Sequence, residues 1–268
     1  MKSLPNHFRQ TKAKREALAI LADYFCLNIP MAAELLGICL RGAQRHYARL
    51  ETTGLVCSVP YYPEEKEKGS APRAWGLSDS GVDRAFAEGF ATDSTKTFAE
   101  HSMKTVEHEL MISKFHLETA RLCEANGWDL RWRQRDLKKK TVNPDALFSL
   151  NGHFFFLEIE RAKLGNYRNG EPQVLRKLKS YQDFCGSSDC EKDFGFGEFK
   201  VITVMRTPER AGNLRDLLQA SGLDETIFWI MSEREFAIPA PKAPFHSFSF
   251  FQSLCQDASN RLLGSALS

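Results

Sequence analysis

The sequence predicts an α/β protein in two parts, a helix-rich N-terminal module followed by a longer domain with a mixed sheet flanked by helices. Three observations carry this. Apolar side chains recur with helical spacing over residues 12–52, whereas residues 128–160 and 199–231 carry alternating or continuous apolar runs of strand length. A small, polar stretch, residues 91–100, reads as a linker between them. The length of 268 residues also exceeds a typical domain of about 100–150.

The first part reads as helices and then a hairpin. Leu18, Leu21, Ala22 and Phe25 place one apolar stripe on a helix from Lys12 to Cys26. Pro30 opens a short helix, Met31–Leu36, and Gly37 closes it. A third helix, from Leu40 to Thr52, turns Ala43, Tyr47 and Leu50 inward, and Gly54 ends it. Leu55–Tyr62 and Ala74–Leu77 are strand partners across a charged tip, Pro63–Pro72, and Ser78 caps a helix over Asp79–Phe90. Helix, short helix, helix and hairpin is the order of a winged helix-turn-helix, expected over residues 1–92. Arg41, Arg45 and Arg49 recur every fourth position of the third helix, beside Gln44 and His46. Guanidinium groups grip phosphates or guanine, and a glutamine amide reads adenine.

The second part is expected over residues 101–268. A long helix spans about Thr105–Asn126, and Trp128–Arg135 then alternates apolar and charged residues as a half-exposed strand. Arg131, Arg133 and Arg135, with Lys138, Lys139 and Lys140, form a basic edge suited to a phosphate backbone. Val142–Leu150 and His153–Glu160 are strands joined by Asn151-Gly152, the signature of a type I′ hairpin turn. Gly165–Gly170 reads as a loop, Glu171–Phe184 and Pro208–Ser221 as helices, and Phe199–Met205 and Thr226–Met231 as strands; Ser247–Leu263 is a closing helix.

Composition excludes some classes. The formal charge is +2, with 36 basic and 34 acidic residues, so a nucleic-acid surface must be a patch and not a global field. No run of about 18 apolar residues exists, and the basic N-terminus lacks the apolar core of a leader. Seven scattered cysteines without a C-x-x-C pair suggest neither a zinc ribbon nor a thioredoxin-type motif, and point to a reducing cytoplasm.

The expected chemistry sits on the hairpin, whose register puts Asp145 opposite Glu158, with Glu160 on the same face two residues on. Facing carboxylates repel unless a cation or proton lies between them, and an oxygen-only set suits Mg²⁺ or Mn²⁺. Such an ion activates water and neutralises a phosphodiester.

Pro144-Asp145 followed by Glu158-Ile159-Glu160 resembles the core of PD-(D/E)xK nucleases, with Glu160 in the slot of the usual lysine. Lys177 and Tyr181, spaced K-x-x-x-Y, stand where a crossover-helix lysine substitutes in that superfamily. The whole order of winged helix, His108, Pro-Asp, Glu-x-Glu, Lys177 and Tyr181 is similar to the replication-relaxation family, which includes the MobC-type relaxases of mobilizable plasmids. The resemblance implies a relaxase that binds duplex origin-of-transfer DNA and nicks one strand. Asp145, Glu158 and Glu160 would hold the metal, Lys177 would stabilise the phosphate in flight, and His108 would orient a carboxylate or the phosphate. A hydrolytic nick is expected ahead of attack by Tyr167 or Tyr181. An accessory mobilization protein and a second copy of the chain are the further partners implied. Glu160 in place of lysine leaves an alternative open: an inactive nuclease fold serving as a DNA-binding regulator of plasmid replication or transcription. A restriction-type enzyme cutting both strands is a third reading.

Overall fold

The computed structural model describes residues 12–61, 71–92, 95, 97, 98, 103–134, 137, 139, 141–161, 167, 168 and 171–236. The chain forms two compact units, Met1–Lys114 and Phe115–Ser268. The division falls within a helix rather than in the stretch 91–100.

The first unit is a helical, winged-helix-like module. It contains α1 (Lys12–Asp23), β1 (Leu27–Asn28), α2 (Ile29–Leu35), α3 (Leu40–Thr52), β2 (Val56–Pro60), β3 (Arg73–Leu77), α4 (Asp79–Ala87) and the first half of α5 (Met103–Asn126). Helix α1 buries Ala17, Leu18, Leu21 and Ala22 along one stripe. The Asn28 side chain accepts the Met31 N–H and Pro30 stands in the first turn, so α2 starts where its orphan donors are met. The strands are ordered β1-β3-β2 and all pairs are antiparallel. The two-residue β1 has no period to read, so the sequence did not reveal it. Of the expected tip of the wing, Pro63–Pro72, residues 63–70 lie outside the described residues.

Helix α4 is set very close to the start of β2. The Ser78 hydroxyl accepts the Gly81 N–H at 3.1 Å and donates to the Gly54 carbonyl. A Cβ at Gly81 would lie 1.8 Å from the Leu55 carbonyl oxygen. Only glycine fits there.

The second unit takes the rest of α5, then β4 (Leu130–Arg133), β5 (Ala146–Leu150), β6 (His153–Glu160), β7 (Tyr167–Arg168), β8 (Glu171–Pro172), α6 (Gln173–Phe184), α7 (Ser188–Phe194), β9 (Lys200–Met205), α8 (Pro208–Ala220), β10 (Phe228–Ser232) and α9 (Glu233–Phe236). The sheet order is β10-β9-β6-β5-β4. Strands β10, β9 and β6 are parallel, and β6, β5 and β4 antiparallel, so the sheet is mixed. Asn151 (φ 47°) and Gly152 (φ 86°) make the tight turn, and Ala146 pairs with Leu157 in the expected register.

Several boundaries differ from expectation, each for a local reason. The ladder of β5 begins at Ala146, after Pro144, which has no N–H to give. Glu171-Pro172 pairs with Tyr167-Arg168 as a small hairpin, so α6 starts two residues late. Helix α7 went unread because it is seven residues long, although its Ser187 cap and the left-handed Gly195 are standard start and stop signals. The expected closing helix, 247–263, lies outside the described residues.

Side chains alternate across the sheet. One face holds a row from Trp132 through Phe148 to Phe155, with centroids 5.4 and 5.1 Å apart, and α5 covers it with Phe115 and His116. The other face buries Phe156 at 0% exposure among Tyr181, Phe194 and Phe199, and sets Val201 and Phe228 beneath α6 and α8. At the β10 edge, Arg215 donates to the Ile230 carbonyl at 2.7 and 3.1 Å, Glu235 accepts the Ser232 N–H, and the two side chains pair at 3.0 Å.

His116 stacks on Trp132 at 4.2 Å with rings nearly parallel. Burial lowers its imidazole to about 4, so it is neutral in the fold. Its stabilising contribution is present above the unfolded value of 6.5 and is lost as pH falls from there toward 4. Urea denaturation at pH 7.5 and pH 4 should show an acid loss of up to about 3 kcal/mol in wild type, smaller by most of that in His116→Phe. An equal loss in both proteins would place the acid sensitivity elsewhere.

Candidate nucleic-acid interface and buried carboxylate cluster

Two surfaces and one buried cluster hold the residues singled out by sequence. On α3, Ala43, Tyr47 and Leu50 are buried while Arg41, Gln44, Arg45 and Arg49 are exposed. Among the described residues no carboxylate bridges any of these three guanidinium groups. His46 beside them is held below its ordinary value by partial burial first, and then by the positive charges of Arg49 and Lys14. The start of α3 is apolar and open: Ile38 is 38% exposed, Leu40 58%, and the N-cap Cys39 makes no side-chain hydrogen bond. Orphan amide donors therefore remain at this helix N-terminus.

In the second unit, Arg131 and Arg133 alternate with Leu130 and Trp132 and point outward from the edge strand β4. Arg131 Nε lies 3.2 Å from Asp129. Lys139 is half-buried, 3.7 Å from Asp193 and 5.5 Å from the Phe194 ring centroid, and so serves the fold. Arg135, Lys138 and Lys140 lie outside the described residues.

The carboxylate cluster is built from β6 and the residue before β5. The Asp145 N–H donates to the Leu157 carbonyl, and Asp145 Oδ2 accepts the Ile159 N–H at 2.7 Å, so Asp145 extends the hairpin by one side-chain rung. Glu158 points into the core at 2% exposure. Lys177 Nζ donates to its Oε2 and the Tyr181 hydroxyl to its Oε1, one turn apart on α6. The K-x-x-x-Y spacing that drew attention in the sequence thus grips both oxygens of one carboxylate. Thr203 of β9 is paired in register with Glu158 and its buried hydroxyl makes no hydrogen bond; nothing in the sequence marked it.

The electrostatics follow from burial. Burial pushes the Glu158 carboxyl above the usual carboxylate range, with Asp145 adding to this and Lys177 opposing it. Burial alone would lower the Lys177 ammonium, but the charges of Glu158, Asp145 and Glu160 outweigh it and raise its pKa. Tyr181 is raised, by burial first and then by Glu158. These directions conflict over one proton, since a raised Lys177 requires an ionised Glu158. Geometry favours the ion pair: the Lys177 ammonium donates to one Glu158 oxygen and the Tyr181 hydroxyl to the other, and both bonds stabilise the charged carboxylate.

The expected metal-assisted nicking is corrected by this arrangement. Lys177 is bound to the Glu158 carboxylate. Among the described residues no group of three or more His, Cys, Asp or Glu stands ready to hold a metal ion. The expectation of a nicking endonuclease or relaxase is therefore corrected. His108 belongs to the first unit, where its Nδ1 lies 3.9 Å from Glu109. Tyr181, 1% exposed and bound to Glu158, is not presented to a phosphate, and the Tyr167 side chain lies outside the described residues. No helix among the described residues is long and apolar enough to cross a membrane.

Comparisons with known proteins come from families and solved structures; no curated protein matches. The zinc-responsive MarR family member ZitR of Lactococcus lactis is 15% identical, with a TM-score of 0.27 over 47% of this chain and 81% of that one. Wild-type ZitR in complex with DNA is 15% identical, with a TM-score of 0.26 over 47% and 80%. RV1404 from Mycobacterium tuberculosis is 21% identical, with a TM-score of 0.26 over 44% and 75%. A family model described as Replication-relaxation matches residues 18–198, from α1 through α7 and thus across both units, and the chain belongs to the replication-relaxation family.

Proposed function

We propose that this protein is a catalytically silent, DNA-binding regulator of plasmid replication or transcription, gripping duplex DNA through α3. The observation that carries the reading is the exposed arginine stripe of Arg41, Arg45 and Arg49 on the third helix of a winged-helix-like module. A helix in that place lies in the major groove, its open N-terminal amides and arginines meeting phosphates. Arg131 and Arg133 supply a second, weaker contact in the other unit. The PD-(D/E)xK-like reading of the mixed sheet is supported by Asp145 next to Glu158 on one hairpin, with α6 crossing behind. In this chain Lys177 and Tyr181 turn that arrangement into a structural one. Within its family the protein is then a MobC-like arrangement that binds without cutting.

Fluorescence anisotropy of the full chain on duplexes from the DNA neighbouring its gene tests this. Binding should weaken with salt, and Arg45→Ala should lower both the affinity and the slope of log K against log[salt], the latter by about one unit. Supercoiled plasmid should stay supercoiled with either Mg²⁺ or Mn²⁺. Absence of salt-dependent binding to any duplex would overturn the reading.

A further inference from the structure

Three exposed large apolar side chains stand out among the described residues: Ile38, Leu40 and Phe86. Two of them fall within three positions, at the turn into α3. Leu40 is the most exposed, at 58%, and is the first residue of the helix. Gln44 follows one turn later and is exposed on the same side. Arg41 and Arg45 occupy the adjoining stripe. An isolated surface leucine needs no explanation. A leucine at the leading end of a cationic helix, followed one turn later by an amide, has a specific counterpart in the major groove. The thymine C5-methyl is the one apolar group that a base edge presents there, and the adenine N6/N7 pair is what an amide matches in both directions. First-turn residues of such a helix are the ones that reach base edges.

We infer that Leu40 and Gln44 are the specificity-determining residues of α3, reading neighbouring A·T pairs, one by its thymine methyl and the other by its adenine edge. Arg41, Arg45 and Arg49 supply affinity around this pair of contacts. The inference rests on the proposed DNA-binding reading and adds to it a base class and two atoms. It also accounts for the open Cys39 N-cap. A capping side chain there would occupy the amides that a phosphate takes when the helix end is seated.

The test uses the full-length protein and a duplex selected by it from a randomised pool. Thymines of that site are replaced one at a time by deoxyuridine, which removes only the methyl, and adenines by 7-deazaadenine, which removes only the N7 acceptor. One deoxyuridine should weaken wild type about fourfold, the worth of one buried methyl. One 7-deazaadenine should weaken it on the order of tenfold. Leu40→Ala should be blind to the first change and Gln44→Ala to the second, both keeping the wild-type salt slope. Leu40 and Gln44 are solvent-exposed, so both variants should keep the wild-type fold, which circular dichroism checks. Equal affinity of wild type for thymine and deoxyuridine at every position overturns the Leu40 assignment while leaving DNA binding intact. Loss of salt-dependent binding to all duplexes would instead sink the underlying reading and this one with it.

Discussion

Replacing Lys177 by methionine is expected to destabilise the second unit by about 3 kcal/mol at neutral pH. Removing one partner of a buried pair strands the other charge, a cost of roughly 3–5 kcal/mol for fully buried pairs. Lys177 keeps 36% of its side chain exposed against 2% for Glu158, which puts the expectation at the low end. In the variant, Glu158 faces Asp145 with no opposing cation, and its carboxyl rises further above the usual range. A carboxyl raised in the fold stabilises below its unfolded value and loses that contribution as pH rises through the folded one. The variant should therefore recover in mild acid and weaken toward alkaline pH. Lys177→Met combined with Glu158→Gln leaves no buried charge and should recover at least half of the loss. Urea titrations of the four proteins at pH 5 and pH 8 close the cycle. A cost under about 1 kcal/mol for Lys177→Met would mean that the pair does not hold α6 to the sheet.

Gly81→Ala should act as strongly on the first unit, by steric means alone. Its Cβ would fall 1.8 Å from the Leu55 oxygen and 2.9 Å from the Leu55 carbon, both backbone atoms that no rotamer change moves aside. Either α4 lifts from β2 or the capped turn at Ser78 opens, at about 3 kcal/mol or more. Gly212, inside α8, is the internal control: a Cβ there meets nothing within 4 Å. Gly212→Ala should stabilise by up to about 1 kcal/mol, the helix preference of alanine over glycine. Thermal denaturation that shows the two substitutions moving in the same direction would contradict this.

Periodic signals were legible in the sequence, and the partners of buried groups were not. The stripes of α1 and α3, the hairpin turn at Asn151-Gly152 and the pairing of Asp145 with Glu158 all follow from repeats of 3.6 or 2 and one turn type. The residues Asp145, Glu158, Lys177 and Tyr181 were likewise visible as a constellation. Their role does not follow from spacing, which shows which groups meet and not what fills the space between them. A carboxylate, a lysine and a tyrosine gathered at one place make either a metal centre emptied for substrate or a closed hydrogen-bonded knot. The difference is set by the depth of Glu158 and by α6 approaching within hydrogen-bond reach, both products of tertiary packing. Lys139 shows the same limit. It sits in a run of basic residues, yet Asp193 on the unread α7 claims it.

At the β10 edge, Arg215 and Glu235 stand where the backbone of a sixth strand would lie. An edge strand with bare N–H and C=O groups is a template for any extended chain that drifts against it. Here the Ile230 carbonyl and the Ser232 N–H, two outward-facing groups of the same strand, are already spent on side chains that pair with each other. Stacking another copy onto this side, as in a runaway fibril, would first have to break the guanidinium–carboxylate pair and strip two backbone groups of their partners. Among the described residues the sheet is thus closed on that side by chemistry, and not simply by running out of strands.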